Sequence, residues 1–256
     1  MSGLTDADLY DRGARTLVAS WEAYARGCPG AAVIRRAGVA VAVFTDLPER
    51  ALLNNALLER ELGSAVRARA LAGLEAAYAS AGITCFAAWV HESDQAMRED
   101  LAARGYTAEE STRAMGMALR DIRLPRPGIE MVPPDWAEYL RVIGVAPGFA
   151  RHADRSAFHV LIAALDGAVV AAGMAFDQGD DCGIYNVATL EHARRRGLGT
   201  ALTALLAYDA IARGCRTASL QSTPMAERIY AAVGFRDLGR ILEYAPPKTA
   251  GPDHPS

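Results

Sequence analysis

The sequence lacks a strong net charge, closely spaced cysteines and a long apolar run. Lys and Arg together number 27 and Asp and Glu number 30, which gives a net charge of -3 over 256 residues. So weak a charge provides no basic field to hold a nucleic-acid backbone or an anionic membrane surface. We therefore expect neither nucleic acid nor a membrane among the partners of this protein.

The four cysteines, Cys28, Cys85, Cys182 and Cys215, are widely separated. Zinc sites and redox motifs need close pairs, so we predict reduced thiols and no metal site. Residues 1–11 carry three Asp and no basic-then-apolar run, a pattern that argues against a signal peptide. No apolar stretch approaches the roughly 20 residues of a membrane span, and the sequence predicts a cytoplasmic protein.

Proline is concentrated in residues 120–134, which hold four of the twelve prolines. Proline breaks both helices and central strands, and the chain is long enough for two domains of about 100 to 150 residues. A polar, Pro-rich end cannot bury enough apolar surface to become ordered. We predict a domain at 1–120, a Pro-rich linker with the first strand of the next domain at 121–134, a second domain at 135–245 and a disordered tail at 246–256.

The two halves share a weak internal repeat. A helix-forming run followed by an apolar strand occurs in each half, at residues 64–80 and 83–90 and again at residues 200–212 and 217–221. Each half then closes a short helix with a glycine and an aromatic residue, at 105–106 and 234–235, because glycine accepts the left-handed conformation that ends a helix. The repetition predicts duplicated domains. The alternative is that two unrelated α/β segments share this order.

Three strands are predicted before the second long helix. Phe158–Leu165 and Ala168–Phe176 are apolar runs joined by Asp166-Gly167, a dipeptide that favours a two-residue hairpin turn. A polar loop then leads to a third strand at 183–189. The residues between this strand and the helix are therefore placed at the end of a strand and the start of a helix.

Residues 194–200, Arg-Arg-Arg-Gly-Leu-Gly-Thr, occupy that position. Glycines there allow close backbone approach, successive N–H groups point at an anion, and the helix start carries partial positive charge. The alternatives are a solvated arginine face and a tight turn. A dinucleotide motif is excluded because Leu202 stands where the third glycine would be required, and a nucleic-acid module would need aromatic residues among the arginines.

Two motifs resemble those of the GNAT acetyltransferase superfamily. Residues 194–199 resemble its Q/R-x-x-G-x-G/A pyrophosphate loop, and Asn186-Val187-Ala188-Thr189 looks like its fourth strand. Further along, residues 220–235 resemble its fifth strand, the following helix with a tyrosine, and the terminal Gly-Phe. The resemblance covers most of the second half well and the first half only in topology.

The resemblance implies an α/β fold of the α+β type, with two acetyltransferase-like domains, each a mixed, mostly antiparallel sheet with flanking helices. It also implies that acetyl-CoA is the cosubstrate and lies against the splayed fourth and fifth strands like an added strand. The residues that would bind it are Val187, Ala188, Thr189, Arg194, Arg195, Arg196, Gly197, Leu198, Gly199 and Thr200.

The chemistry that the resemblance implies is direct attack of an amine on the thioester. A backbone N–H near Val187 would stabilise the negative charge that develops, and Tyr230 would protonate the leaving thiolate. The alternative is that Tyr230 is only a helix residue half buried against the sheet. Two positions depart from the family pattern, because Glu191 replaces a usual proline and Thr223 an asparagine.

Other acidic and basic residues are weaker candidates. Glu191 and His192 are candidates for a general base. They stand at the mouth of the loop at 194–200, however, a position that favours exposure to solvent over contact with the thioester. The acidic loop could attract a cationic amine or be ordinary solvated surface; its members are Asp177, Asp180 and Asp181.

The first half lacks the working parts of the motif. Residues 54–64 contain no Arg-rich glycine loop, and Leu101, which cannot donate a proton, stands where the repeat places Tyr230. We predict a degenerate acetyltransferase-like domain that supports the second. Four residues are candidates for substrate contact, each with a structural alternative: Asn54, Asn55, Phe86 and Trp89.

Two functions therefore remain in play. The first is an N-acetyltransferase acting on the primary amine of a small molecule, such as a polyamine, amino acid or aminoglycoside. The second is a catalytically silent acyl-CoA sensor or scaffold. The resemblance admits both a monomer and a homodimer.

Overall fold

The computed structural model describes residues 3–46, 53–145 and 154–247. These residues form helices and strands in the following order: α1 (Asp6–Ala25), β1 (Ala31–Arg36), β2 (Val39–Phe44), β3 (Asn55–Leu58), α2 (Ser64–Ser80), β4 (Ala87–His91), α3 (Gln95–Ala103), β5 (Thr107–Ala118), β6 (Met131–Val132), α4 (Trp136–Ile143), β7 (Phe158–Leu165), β8 (Ala168–Gln178), β9 (Asp181–Thr189), α5 (Leu198–Arg213), β10 (Thr217–Ser222), α6 (Glu227–Val233) and β11 (Arg236–Ala245).

The chain folds into two compact units that are discontinuous in sequence. The major unit is drawn from Met1–Pro29 and Thr112–Gly239, and the minor unit from Gly30–Ser111 and Arg240–Ser256. Helix α1 therefore belongs with the second half of the chain, and β5 and β11 each begin in one unit and end in the other. The domain division expected at 121–134 stays a prediction, and most of the expected disordered tail, residues 248–256, lies outside the described residues.

The sheet of the major unit has the strand order β5-β10-β9-β8-β7-β6. All neighbours are antiparallel except β9 and β10, which are parallel. Since alternate residues of a strand face opposite sides, the two faces can be assigned from β8. Ala175 packs in a cluster with α5 and α6, whereas Met174 and Phe176 pack in a cluster with α4 and α1.

Local sequence patterns predicted this part of the fold correctly. The hairpin strands β7 and β8 meet at Asp166 and Gly167, whose φ angles of 53° and 77° are those of the expected turn. Strand β9 and helix α5 also form where they were expected, each slightly longer than the apolar pattern indicated. The mixed, mostly antiparallel sheet with flanking helices is confirmed.

The minor unit contains a sheet of order β1-β2-β3-β4-β11 with α2 packed on its core. Helix α2 spans the predicted residues. Asn54 is fully buried and its Oδ1 accepts the Phe44 N–H at 2.8 Å, while Phe86 stacks on Tyr78 with ring centroids 4.1 Å apart. Both contacts are structural, so neither residue needs a substrate to explain its position.

The short helices α3 and α6 end in the same way, as the repeat predicted. Gly105 and Gly234 have positive φ angles of 83° and 129°. The next residue donates its N–H to the carbonyl five positions earlier in both units, from Tyr106 to Leu101 and from Phe235 to Tyr230. Leu101 and Tyr230 are therefore equivalent in backbone geometry, which supports the alignment of the two halves.

Among the described residues, no helix has the length and apolarity that a membrane crossing requires. Nor do three or more His, Cys, Asp or Glu side chains come together there as a group that could hold a metal ion. The four cysteines are free thiols, and Cys182 and Cys215 are buried.

Gly234→Ala should destabilise the protein more than Gly214→Ala. Both glycines end a helix at positive φ, 129° and 100°, so either change should cost about 1–2 kcal/mol from the left-handed backbone. A Cβ on Gly234 would also lie 2.8 Å from the Asp121 carbonyl oxygen, whereas nothing lies within 4 Å at Gly214. Relieving that contact should cost roughly 1–3 kcal/mol more. Urea unfolding measures the difference, and equal losses would contradict this explanation.

Candidate active site

Strands β9 and β10 pair at only one end. Their register contains three pairs, which end at Gly183 and Ser219. Beyond them β9 continues to Thr189 alongside β8, and β10 continues to Ser222 alongside β5. We call the gap between residues 184–189 and 220–222 the fork. Among the residues that the structure describes, the inner edge of β9 has no strand partner in the fork, as the resemblance implied.

A β-bulge interrupts β9 inside the fork. The register with β8 shifts between Ala172 and Met174, so that Asn186 and Val187 together oppose Gly173. Asn186 has a φ of 52°, a left-handed conformation that Asn tolerates better than most residues. Its side chain donates to the Tyr139 hydroxyl at 3.0 Å. The bulge turns the chain where the resemblance places a donor near Val187.

The loop at residues 194–200, which we call the phosphate loop, follows the open end of β9. Arg195 and Gly197 have φ angles of 63° and 78°, and α5 begins at Leu198 without a side-chain cap. The first bond of the helix runs from the Ala201 N–H to the Gly197 carbonyl. Within the described residues, the N–H groups of Leu198, Gly199 and Thr200 donate to no protein oxygen. Such a helix start is suited to bind an anion.

The three arginines of the loop differ in their contacts. The Arg194 side chain folds back, and its Nε donates to the Thr189 carbonyl at 3.2 Å. Arg195 and Arg196 are exposed and, in the part of the chain that the structure describes, form no ion pair or hydrogen bond. Their guanidinium groups are available to an anionic ligand. Arg194 instead fixes the loop to the end of β9.

Tyr230 lies on α6, which follows the open end of β10. It is 8% exposed and packs in the same apolar cluster that Val187 contacts from β9. Burial raises the pKa of Tyr230 above its ordinary value. Within the described residues its hydroxyl makes no hydrogen bond. A phenol that stays protonated and forms no hydrogen bond with the protein can act as a proton donor. The burial of Tyr230 therefore fits both a general acid and a helix residue packed against the sheet.

The acidic loop does not line the fork. Asp177 pairs with Arg213, and Asp180 pairs with Arg12. Asp181 is only 3% exposed and accepts hydrogen bonds from hydroxyl groups. Asp177 lies on β8 and Asp180 and Asp181 lie at the paired end of β9, so their position does not support attraction of a cationic amine, and Asp181 is buried rather than part of a solvated surface.

Glu191 and His192 lie in a 3₁₀ turn at Glu191–Ala193, and both side chains are exposed. This agrees with the alternative that they face solvent. The structure therefore gives no reason to assign either residue a role as general base.

The minor unit repeats one backbone feature of the phosphate loop with the opposite charge, although Gly63 before α2 is extended, with a φ of -64°, where Gly197 before α5 is left-handed. Glu61 stands three residues before α2 with a φ of 61°, as Arg195 stands three residues before α5 with a φ of 63°. The Glu61 N–H donates to Oδ2 of Asp94 at 3.2 Å, and Oδ1 of Asp94 accepts the Met97 N–H. A carboxylate of the protein thus occupies the position where the loop would present an N–H group to an anion. Strand β3 also pairs with β4 over three of its four residues.

Comparison with known families agrees with the geometry. Residues 117–235 match the model of the Acetyltransferase (GNAT) family. This part of the chain is a GNAT acetyltransferase domain. The match contains the fork, the phosphate loop and Tyr230, and it supports an N-acetyltransferase activity for this domain. Curated protein sequences give no significant match.

Solved structures share the fold along most of the chain. A GCN5-related N-acetyltransferase from Kribbella flavida has a TM-score of 0.67 at 18% identity, over 91% of this chain and 96% of that one. A tandem GNAT protein from the clavulanic acid biosynthesis pathway has a TM-score of 0.60 at 16% identity, over 96% and 98%. A GCN5-related N-acetyltransferase from Sphaerobacter thermophilus has a TM-score of 0.58 at 16% identity, over 94% and 93%.

Gly199→Val should weaken the binding of acetyl-CoA by about tenfold or more, equivalent to about 1.4 kcal/mol. A Cβ at Gly199 would meet only Ile229 Cδ1 among the described residues, at 3.9 Å, so the first atom of the new side chain meets no steric obstacle in the protein. The added methyl groups would instead obstruct the approach of a pyrophosphate to the helix start. Isothermal titration calorimetry measures the affinity. Gly128→Val, at a glycine with nothing within 4 Å, is the control, and normal binding by both variants would contradict the assignment.

Proposed function

We propose that this protein transfers the acetyl group of acetyl-CoA to the primary amine of a small molecule. The observation that carries the proposal is the fork, an open strand edge on β9 followed directly by a helix start whose N–H groups bond no protein oxygen. One part suits an extended amide-containing arm and the other suits a pyrophosphate. Few ligands other than an acyl-CoA need both in that order.

The residues of the site fit acetyl-CoA. The inner edge of β9 at Val187, Ala188 and Thr189 would hold the pantetheine arm by backbone hydrogen bonds. The loop at 194–200 would receive the pyrophosphate, with Arg195 and Arg196 supplying charge beyond that of the helix start. When bound, acetyl-CoA supplies the acetyl group as a reactive thioester.

Two groups of the chain then carry the chemistry. The backbone N–H at Val187, which the bulge reorients, would stabilise the negative charge that develops on the thioester oxygen as the amine attacks. Tyr230, protonated because burial raises its pKa, would donate its proton to the departing thiolate. The attacking amine would pass its own surplus proton to water, since the described residues that line the fork, 184–189 and 220–222, include no carboxylate.

A small acceptor is favoured by two considerations. The net charge of -3 provides no extended field for a polyanion or a strongly charged surface. A structural relative belongs to the clavulanic acid biosynthesis pathway, which concerns a small molecule. The silent-sensor alternative is disfavoured by the combination of an open fork and a tyrosine, because a sensor needs only the first.

We also propose that the minor unit is a degenerate copy that binds no acyl-CoA. Glu61 stands at the position of Arg195, and its N–H donates to the Asp94 carboxylate. Leu101 stands at the position of Tyr230. Each change removes one requirement of the site in the major unit. A monomer and a homodimer are equally compatible with this arrangement, as is a cytoplasmic location.

Tyr230→Phe should lower kcat by roughly 100-fold, in line with the contribution of a general acid, and leave the affinity for acetyl-CoA nearly unchanged. The wild-type kcat should not fall with deprotonation of Tyr230 up to about pH 9, because its raised pKa keeps the phenol protonated beyond the ordinary value of about 10. The assay is release of CoA thiol against a panel of amines. Tyr208→Phe, which removes a hydroxyl that bonds the Leu124 carbonyl, is the control. Unaltered turnover in Tyr230→Phe would refute the role.

Each chain should bind one molecule of acetyl-CoA. The major unit offers exposed Arg195 and Arg196 beside its loop, whereas the minor unit presents Glu61 and the Asp94 carboxylate there. Replacing Arg195 and Arg196 together by Glu should therefore remove nearly all binding, since no second site can take its place. Calorimetry gives the stoichiometry directly. Two equivalents per chain, or full binding by the double variant, would overturn the proposal of a degenerate minor unit.

A further inference from the structure

Asp181 is a buried carboxylate at the paired end of the fork. It is the first residue of β9 and is 3% exposed. Its Oδ1 accepts the Thr217 hydroxyl at 2.6 Å, and its Oδ2 accepts the Thr16 hydroxyl at 2.7 Å and the Ser219 hydroxyl at 2.8 Å. All three donors are neutral. In the described part of the chain Asp181 forms no ion pair, since Arg12 pairs with the neighbouring Asp180.

The three donors come from the two elements that meet β9 at this point. Thr217 and Ser219 are on β10, and Ser219 belongs to the last pair before the strands separate. Thr16 is on α1, whose backbone approaches Ser219 so closely that a Cβ on Gly13 would lie 2.8 Å from the Ser219 Cβ. Asp181 therefore joins β9 to β10 across the final pairs and joins both strands to α1.

A buried carboxylate with only hydroxyl donors is a costly way to hold two strands together. Burying a charge requires that its lone pairs be satisfied with good geometry, and apolar side chains would pack the same space without that demand. Such a network fixes the positions of its members, because each hydrogen bond has a preferred length and direction. Its effect is to define where β10 stops following β9.

We propose that Asp181 is a positioning residue for the acetyl-CoA site, and that it sets the point and angle at which the fork opens. This inference rests on the proposed function of the fork. The two walls of the fork carry different parts of the site: Val187 is on β9 and the phosphate loop follows it, whereas Tyr230 is on α6, which follows β10. A change in the angle between the strands would therefore displace the groups that bind acetyl-CoA from the group that donates the proton.

Asp181→Asn tests the proposal, because it keeps the shape of the side chain and removes the charge. One or two of the three hydroxyl donors, depending on the orientation of the amide, would then face an NH₂ group, and the network would have to rearrange. We expect the Kd for acetyl-CoA to rise about tenfold or more and kcat to fall as well, in protein that remains folded at a temperature well below its Tm. A residue that only stabilised the fold would lower Tm and leave the Kd of the folded protein unchanged.

Two further variants make the outcome decisive. Asp180→Asn alters the adjacent, half-buried carboxylate, which pairs with Arg12 and accepts no hydrogen bond in the Asp181 network, and it should leave the Kd unchanged. Ser219→Ala removes only the donor in the last strand pair, so it tests the proposal even where Asp181→Asn fails to fold, and it should raise the Kd severalfold. If the wild type binds acetyl-CoA and Asp181→Asn binds it with the same Kd, the role of Asp181 is overturned and the proposed function is not. If Asp181→Asn does not fold, an unchanged Kd in Ser219→Ala has the same meaning. Absence of binding by the wild type would overturn the proposed function and this inference with it.

Discussion

The site depends on the incomplete pairing of β9 with β10. Each wall of the fork is held from outside, β9 by β8 as far as Thr189 and β10 by β5 as far as Ser222. The gap is therefore stable although its inner edges lack partners, because closing it would require both outer pairings to shift. A strand edge of this kind is usually a liability. Here the same unpaired groups are what an extended ligand needs.

The fork also determines where helices α5 and α6 begin. Because β9 and β10 diverge, α5 and α6 begin at separate places beyond the open end, one after the phosphate loop and one before Tyr230. Gly199 and Ile229 still lie near each other, since a Cβ at Gly199 would be 3.9 Å from Ile229 Cδ1. The two helices thus bound the mouth of the gap from both sides. The positions of the groups proposed to bind acetyl-CoA and of Tyr230 therefore follow from the divergence of the two strands.

Local patterns in the sequence predicted the elements of the site but not all of their partners. The Asp166-Gly167 turn, helix α2 and the loop before α5 follow from short-range preferences, which tertiary structure did not override. The strand partners across the two halves of the chain were not predictable in this way. Residues 113–118 of β5, from the first half, pair with β10 of the second half, and residues 241–244 of β11, from the second half, pair with β4 of the first half. Both strands follow the same helix, glycine and aromatic residue, so the local sequence fits either edge. Asp181 was misjudged for a similar reason, because its three donors lie far away in sequence or across the sheet.

The two units separate what a fold provides from what a few side chains provide. Both place a residue with φ near 60° three positions before a helix, and both end a short helix at an equivalent glycine. One carries Arg195 and Tyr230 at these places, and the other carries Glu61 and Leu101. In the minor unit the Asp94 carboxylate accepts the Glu61 N–H, which is the basis for the proposal that this unit binds no anionic ligand. The shared φ at Arg195 and Glu61 is therefore not enough to define the site, because the units also differ at the residue before the helix, where Gly197 is left-handed and Gly63 extended, and in the charge of their loops.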